Sequence, residues 1–104
     1  MRAGARPVLL DVDPATLNLD PRAVENYLRA GPPAKLGAIL PVHLYGQCAD
    51  MDAFERLSRE FNVPIVEDAA QAIGASWRDR RAGSFGVTAA FSFYPTKNLS
   101  AYGD

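Results

Sequence analysis

The sequence has very few of the residues that build disulfides and metal centres. It contains one cysteine, Cys48, and one histidine, His43, among 104 residues. A single cysteine excludes an internal disulfide and a cysteine-based metal site, and we interpret Cys48 as a buried or loop thiol that is not a nucleophile. No apolar run approaches the roughly 20 residues of a membrane-spanning helix, and the N-terminus lacks the apolar core of a signal peptide. We therefore expect a cytoplasmic protein with no membrane partner.

An excess of charge of either sign is also missing. The formal net charge is −1, and no run of like charges is present, so nothing in the charge pattern indicates a nucleic-acid partner. Apolar residues make up 48% and charged residues 22% of the chain, a balance that excludes disorder. The length allows one small domain at most. Both ends look cut, and we expect residues 1–104 to be part of a larger domain.

Segments with strand and helix patterns alternate along the chain. Asp20 and Pro21 predict a helix start, and Gly31 predicts its end. Asp50 predicts the start of a second helix. Its apolar stripe at helical spacing predicts a core-facing side and consists of Met51, Phe54, Leu57 and Phe61. Short apolar runs predict four strands, at 7–13, 37–46, 63–68 and 87–93; Pro41 predicts an interruption in the second. This order predicts an α/β fold with a mostly parallel sheet flanked by helices.

Candidate catalytic residues follow two of the predicted strands. Glu67 and Asp68 end the third strand, and Lys97 lies just after the fourth. Ligands gather beyond the carboxyl ends of parallel strands. Pyridoxal phosphate chemistry uses such a pair, because a lysine amine forms a Schiff base with the cofactor aldehyde and a carboxylate keeps the pyridinium nitrogen protonated. On the residues alone, a lysine on a polar surface loop and a carboxylate that caps the next helix are the favoured interpretation, because strand-end residues are commonly structural.

Other polar and aromatic residues near these strands have two interpretations. His43 lies between Val42 and Leu44 in a predicted strand, where a lone histidine is more often a hydrogen-bonded structural residue than a base. Trp77 is interpreted as packing in the turn after the third strand. Hydroxyl and amide groups surround Lys97 and offer donors to a phosphate; they belong to Ser92, Thr96 and Asn98. For Asn98 and Tyr102, loop packing and ligand contact both remain open.

Four segments carry a resemblance to a known family. They are "PVLLDVDPATLNLDP", "LPVHLYGQCADM", "VEDAAQAIGA" and "GSFGVTAAFSFYPTKNLSAYGD". In this order and spacing they closely resemble the DegT/StrS-type pyridoxal-phosphate-dependent aminotransferases, which act mainly on keto-sugars carried by nucleoside diphosphates. The resemblance covers nearly every residue. It implies a partial large domain of a fold type I transferase, without the small C-terminal domain, and a homodimer in the full-length protein.

The resemblance also implies roles for individual residues. Lys97 matches the family's Schiff-base lysine, and Asp68 matches the aspartate that holds the pyridine nitrogen of pyridoxal 5'-phosphate. Gln71 matches a position, Gln or His in the family, close to the cofactor ring and its phenolic oxygen. Ser92 matches the serine that hydrogen-bonds the cofactor phosphate. No metal is implied.

The implied activity is the transfer of an amino group from an amino acid, glutamate in this family, to a nucleotide-linked keto-sugar. The 104 residues alone are expected to be inactive, because the family's glycine-rich phosphate turn, its stacking aromatic residue and its second-subunit residues lie outside them. A dehydratase of the same family carries histidine at the lysine position, so Lys97 argues against it. A non-catalytic regulatory protein on this fold stays open. An unrelated nucleotide-binding domain is disfavoured, since no G-x-G-x-x-G or G-K-[ST] loop is present.

Overall fold

A computed structural model describes residues 4–32 and 35–102 of the chain. Two α-helices and a small parallel sheet form its framework, and a short antiparallel ribbon and one 3-10 turn complete it. The helices are α1 (Pro21–Arg29) and α2 (Met51–Phe61). The parallel strands are β1 (Val66–Asp68) and β4 (Thr88–Ala90), the ribbon strands are β2 (Ser76–Trp77) and β3 (Arg80–Arg81), and the 3-10 turn is Leu44–Gly46. Within this described part, neither helix is long and apolar enough to cross a membrane.

Helix α1 begins and ends where the sequence predicts. The Asp20 carboxylate accepts the backbone N–H of Arg22 at 2.9 Å, which satisfies one of the free donors of the first turn, and Pro21 occupies the first helical position. The helix ends before Gly31, whose φ of +74° suits a residue without a Cβ. Its buried side chains are Val24 and Leu28.

The apolar stripe of helix α2 faces the core, as predicted. Asp50 caps the helix by accepting the backbone N–H of Ala53 at 3.1 Å. Three residues of the stripe are fully buried, namely Met51, Phe54 and Leu57. The fourth, Phe61, is half-buried beside them. They meet α1 and the sheet in one core cluster, to which the sheet region contributes Ile39 and Ile65.

Three chain segments run parallel in the sheet. β1 pairs with β4, and the register places Asp68 opposite Ala90. On the other side of β1, residues 39–43 form isolated parallel bridges at Ile39 and Val42. The backbone N–H groups of Ile39 and His43 each donate to the β1 side at 2.9 Å, whereas Pro41 between them has no N–H to donate. The predicted interruption at Pro41 is confirmed, and the carboxyl ends of all three segments lie at one edge.

The predicted strands are longer than the observed ones. The prediction of a strand at 7–13 is wrong: only Val12 forms a bridge, antiparallel to Leu19, because no strand lies beside this segment among the described residues. The predicted strand at 37–46 keeps two bridges and then turns at Leu44–Gly46, where Tyr45 has a φ of 55°. The other two strands shorten to Val66–Asp68 and Thr88–Ala90. The α/β class with parallel pairing is confirmed.

Candidate functional site

A polar cleft of about 340 Å³ lies beyond the carboxyl ends of the strands. Its lining residues carry phenol, amide, hydroxyl and ammonium groups and are Tyr45, Gln71, Thr96, Lys97 and Asn98. Two of the four predicted site residues, Gln71 and Lys97, therefore share one cleft. The structure brings together residues that are 26 positions apart in the sequence, because the chain crosses from β1 to β4 between them.

Lys97 is held in the loop that follows β4. Its backbone N–H donates to the carbonyl oxygen of Tyr94 at 2.8 Å, and the N–H of Ala101 donates to that of Phe93 at 2.9 Å. The lysine residue is half-buried, and no carboxylate of residues 4–32 or 35–102 forms an ion pair with its ammonium group. The loop thus fixes the backbone and leaves the amine available in the cleft.

Gln71 holds the turn that forms the opposite wall of the cleft. Its Oε1 accepts the backbone N–H of Tyr45 at 2.9 Å. Tyr45 has left-handed backbone geometry, φ 55° and ψ 27°, which costs conformational energy in a residue with a Cβ. A backbone N–H requires an acceptor, so the amide oxygen of Gln71 faces the turn and its Nε2 group remains a donor.

Asp68 and Ser92 lie at the ends of neighbouring strands but do not line the cleft. One carboxylate oxygen of Asp68 accepts the backbone N–H of Ala70 at 3.0 Å; its other oxygen accepts no hydrogen bond from the part of the chain that is described. Ser92 lies two residues beyond Ala90, the register partner of Asp68, and its Oγ accepts the backbone N–H of Tyr94 at 3.3 Å. Both side chains belong to the same sheet edge as Lys97.

His43 is a buried structural residue, as the sequence predicted. It is 0% exposed, and its Nε2 lies 3.0 Å from Oε2 of Glu67, which is also 0% exposed. Burial raises the pKa of Glu67, but the hydrogen bonds from His43 and from three backbone N–H groups outweigh it and hold the pKa below its ordinary value. The sequence pattern does not reveal this role of Glu67, although its period-2 spacing from Ile65 indicates that both side chains lie on the same buried face.

The remaining candidates have simple environments. Cys48 is buried, as predicted, and the pKa of its thiol is raised by burial and by the nearby Glu67 carboxylate. Trp77 packs against both apolar clusters of the core, which confirms the packing interpretation. Asn98 lines the cleft, whereas the side chain of Tyr102 is exposed.

Comparison with known proteins gives a consistent set of relatives. The sequence profile of the DegT/DnrJ/EryC1/StrS aminotransferase family matches residues 1–104. The chain is 52% identical over 103 residues to a pleiotropic regulatory protein of Geobacillus stearothermophilus, covering 99% of this chain and 27% of the relative. It is 46% identical over 101 residues to UDP-2-acetamido-2-deoxy-3-oxo-D-glucuronate aminotransferase of Pseudomonas aeruginosa, covering 97% and 27%.

A solved structure gives the same result for the fold. NtdA of Bacillus subtilis, solved with bound cofactor PMP, superimposes with a TM-score of 0.84 at 32% identity, covering 99% of this chain and 22% of that chain. The fold and the site thus define an α/β segment of the aminotransferase type. The chain belongs to the DegT/DnrJ/EryC1/StrS aminotransferase family. It spans about a quarter of the length of the relatives that it matches.

Proposed function

We propose that residues 1–104 form part of the large domain of a pyridoxal-phosphate-dependent aminotransferase. The full-length parent, in this proposal, transfers an amino group from an amino acid to a nucleotide-linked keto-sugar. The observation that carries the proposal is the position of Lys97 beside Gln71 in a polar cleft at the carboxyl edge of a parallel sheet, in a chain that belongs to an aminotransferase family.

The groups at this edge fit pyridoxal phosphate. The cofactor needs an amine for its aldehyde, an anion for its ring nitrogen and hydrogen-bond donors for its oxygens. Lys97 offers an ammonium group without an ion-pair partner among the described residues, and Asp68 offers a carboxylate with one oxygen bonded to Ala70. The Nε2 group of Gln71 is oriented as a donor by the bond of its oxygen to Tyr45. Ser92, two residues beyond the end of β4, offers a hydroxyl.

Each residue then has a defined task. When bound, the cofactor supplies an electron sink that stabilises negative charge at the substrate carbon. Lys97 would hold the cofactor through Nζ, and its free amine would take a proton from the substrate carbon and return it as a general acid. The Asp68 carboxylate would keep the ring nitrogen protonated, because a neighbouring negative charge favours the cation. Gln71 and Ser92 would donate to cofactor oxygens.

The substrates and assembly belong to the same proposal. The Pseudomonas relative is named for a UDP-linked keto-sugar acid, which supports a nucleotide-linked keto-sugar as amino acceptor. Glutamate as amino donor and a homodimer follow from the family resemblance, and the proposal includes the cytoplasmic location expected from the sequence. The donor leaves as a keto acid and the acceptor leaves as an amino-sugar, so one amino group moves in each full cycle.

Borohydride trapping tests the proposal in the full-length parent. The protein is incubated with pyridoxal phosphate, reduced with borohydride and mapped by peptide mass spectrometry. We expect stoichiometric labelling of Lys97. Lys35, the other lysine of this chain and exposed, serves as the control: Lys35→Ala keeps the label, and Lys97→Ala loses it. A parent that carries no label at Lys97 contradicts the proposed function.

A regulatory protein is the second candidate, because one relative is named a pleiotropic regulatory protein. The family name and the Pseudomonas relative favour amino transfer. A regulatory protein of this fold binds the cofactor at Lys97 without turnover. Unreduced protein that carries pyridoxal phosphate at Lys97 but releases no keto acid from glutamate favours the regulatory candidate.

A further inference from the structure

Glu67 is a buried carboxylate that the proposed chemistry does not use. It lies in the middle of β1 and is 0% exposed. Because side chains alternate along a strand, it projects from the opposite face to Asp68. Each of its oxygens accepts two hydrogen bonds. The donors are the backbone N–H groups of Phe85 (2.7 Å) and Gly86 (2.6 Å) on Oε1, and the backbone N–H of Gly83 (2.7 Å) and Nε2 of His43 (3.0 Å) on Oε2.

The hydrogen bonds of His43 determine which of its nitrogens carries the proton. Nδ1 accepts the backbone N–H of Ala49 at 3.1 Å, so this nitrogen has no proton and Nε2 carries it. Neutral His43 therefore donates to Glu67. All four groups that face the carboxylate are donors, and the position requires a side chain that only accepts. A glutamine would turn its NH₂ group toward two of these donors.

The backbone donors belong to the turn that leads into β4. This 83–86 turn lies close against β1: a Cβ on Gly86 would come within 2.6 Å of the carbonyl oxygen of Ile65, and the N–H of Val87 donates to the same oxygen at 2.9 Å. β4 begins at Thr88 and continues toward Lys97. The carboxylate thereby fixes the register of β4 against β1.

The histidine connects the third segment of the sheet edge to the same carboxylate. The backbone N–H of His43 donates to the carbonyl oxygen of Asp68 at 2.9 Å, and the next residues form the turn that carries Tyr45. Glu67 thus joins residues 39–43, β1 and the 83–86 turn. These are the segments that lead into the cleft.

We propose that Glu67, acting with His43, is a positioning residue for the cofactor site. This inference rests on the proposed function, because the site that it positions is the cleft of Lys97 and Gln71. Neither Glu67 nor His43 lines the cleft. Their hydrogen bonds hold three segments in one register, and this register sets where Asp68, Tyr45 and the Lys97 loop stand relative to one another.

Two substitutions of the histidine separate its two bonds. In His43→Gln the carboxamide lies about as far from the backbone as Nε2, so it still donates to Glu67 and loses the acceptor for Ala49. In His43→Asn the carboxamide lies at the level of Nδ1, so it still accepts the backbone N–H of Ala49 and loses the hydrogen bond to Glu67. Each variant removes the imidazole ring and one of its two hydrogen bonds. We expect His43→Asn to lower the affinity of the full-length parent for pyridoxal phosphate by about tenfold or more, the effect of one lost buried bond, and His43→Gln to retain it.

Glu67→Gln and Leu57→Ala complete the set. Leu57 is fully buried in α2, so Leu57→Ala destabilises the core without touching the carboxylate. The measurements are pyridoxal phosphate affinity and amide hydrogen exchange at residues 83–86 and 94–101. We expect Glu67→Gln and His43→Asn to increase exchange in both segments and to weaken binding, and Leu57→Ala to lower thermal stability alone. If Glu67→Gln fails to fold, the two His43 variants decide the question.

The two proposals fail in different ways. If Leu57→Ala also weakens cofactor binding and speeds exchange at 94–101, so that all variants rank by thermal stability alone, the positioning role is overturned. Labelling at Lys97 would still support the proposed function. If the parent takes up no pyridoxal phosphate but exchange follows the expected pattern, the proposed function fails and the coupling of Glu67 to the 94–101 segment stands.

Discussion

At the scale of single residues, Gln71 shows how one hydrogen bond determines the direction of another. Its oxygen is bonded to the N–H of Tyr45 at 2.9 Å, in a turn with a positive φ of 55°. The bond holds this strained turn in place and leaves the Nε2 group as a donor. One side chain therefore supports the cleft wall and offers a hydrogen bond to a ligand oxygen.

The substitution Gln71→Glu separates these two tasks. Glutamate keeps the acceptor for Tyr45 but has no N–H to donate, so we expect the turn to persist and the affinity for pyridoxal phosphate to fall about tenfold. Gln71→Ala loses both tasks, and the amide of Tyr45 then also exchanges faster. Absorbance titration and amide exchange on the full-length parent measure the two effects. Wild-type affinity in Gln71→Glu would show that Nε2 donates to no cofactor atom.

Part of this site is predictable from residue patterns, and part of it depends on pairing. Lys97 and Asp68 are predicted because Asp68 ends a strand-like run and Lys97 follows another, and a parallel sheet brings such positions to one edge. The sequence predicts Glu67 only as a strand-end carboxylate. Period-2 alternation predicts that its side chain lies on the same buried face as Ile65. Its hydrogen-bond donors in the 83–86 turn depend on the register of β4, which no local sequence pattern encodes.

At the scale of elements, the helices were predicted more accurately than the strands. The cap at Asp20 and the stripe of α2 are local signals, and both helices form where these signals indicate. A strand exists only where a neighbouring segment supplies hydrogen-bond partners, and proline removes donors at positions 41 and 64. The apolar run at 7–13 therefore predicted a strand, whereas the structure contains a single bridge at Val12.

The junction between β1 and the 83–86 turn is expected to be sensitive to acid. Burial raises the pKa of Glu67, but its four hydrogen bonds outweigh burial and hold the pKa below its ordinary value of 4.5. The ionised carboxylate thus contributes stability above pH 4.5 that is lost as the pH falls through the lowered pKa. We expect the difference in Tm between the full-length parent and its Glu67→Gln variant to shrink below pH 4.5. Thermal unfolding of both proteins between pH 7 and pH 3 measures this difference. A Tm difference that stays constant over this range contradicts a stabilising role of the ionised Glu67 carboxylate.

At the scale of the whole molecule, apolar side chains remain exposed around β4. Large examples at 87–99 include Val87, Phe91, Phe93, Tyr94 and Leu99, all between 43% and 75% exposed. In the part of the chain that is described, β4 pairs with β1 alone. An unpaired strand edge beside apolar side chains promotes association between chains, and a net charge of −1 offers little repulsion against it.

We expect the 104-residue chain, expressed alone, to associate. Sedimentation velocity and hydrophobic dye binding at neutral pH measure this behaviour, with the full-length parent as reference. Val87→Lys places a charge beside β4 and is expected to reduce association, because lysine at an edge strand opposes pairing. Val8→Lys, at a side chain 45% exposed outside the sheet, is the matched control and is expected to have no effect. A monodisperse chain that binds no dye contradicts the prediction.

The four bonds of Glu67 also have a consequence for the order of folding. Its partners lie 24 residues before it and 16, 18 and 19 residues after it. Each bond forms only when the chain has closed the loop between its two partners, and closing a loop costs entropy before the bond repays it. The backbone hydrogen bonds within helices α1 and α2 join residues close in sequence and do not carry this cost. Protection of the amides at 83–86 in a pulse-labelling experiment therefore marks a late folding event, and the carboxylate that aligns the strands completes the sheet instead of nucleating it.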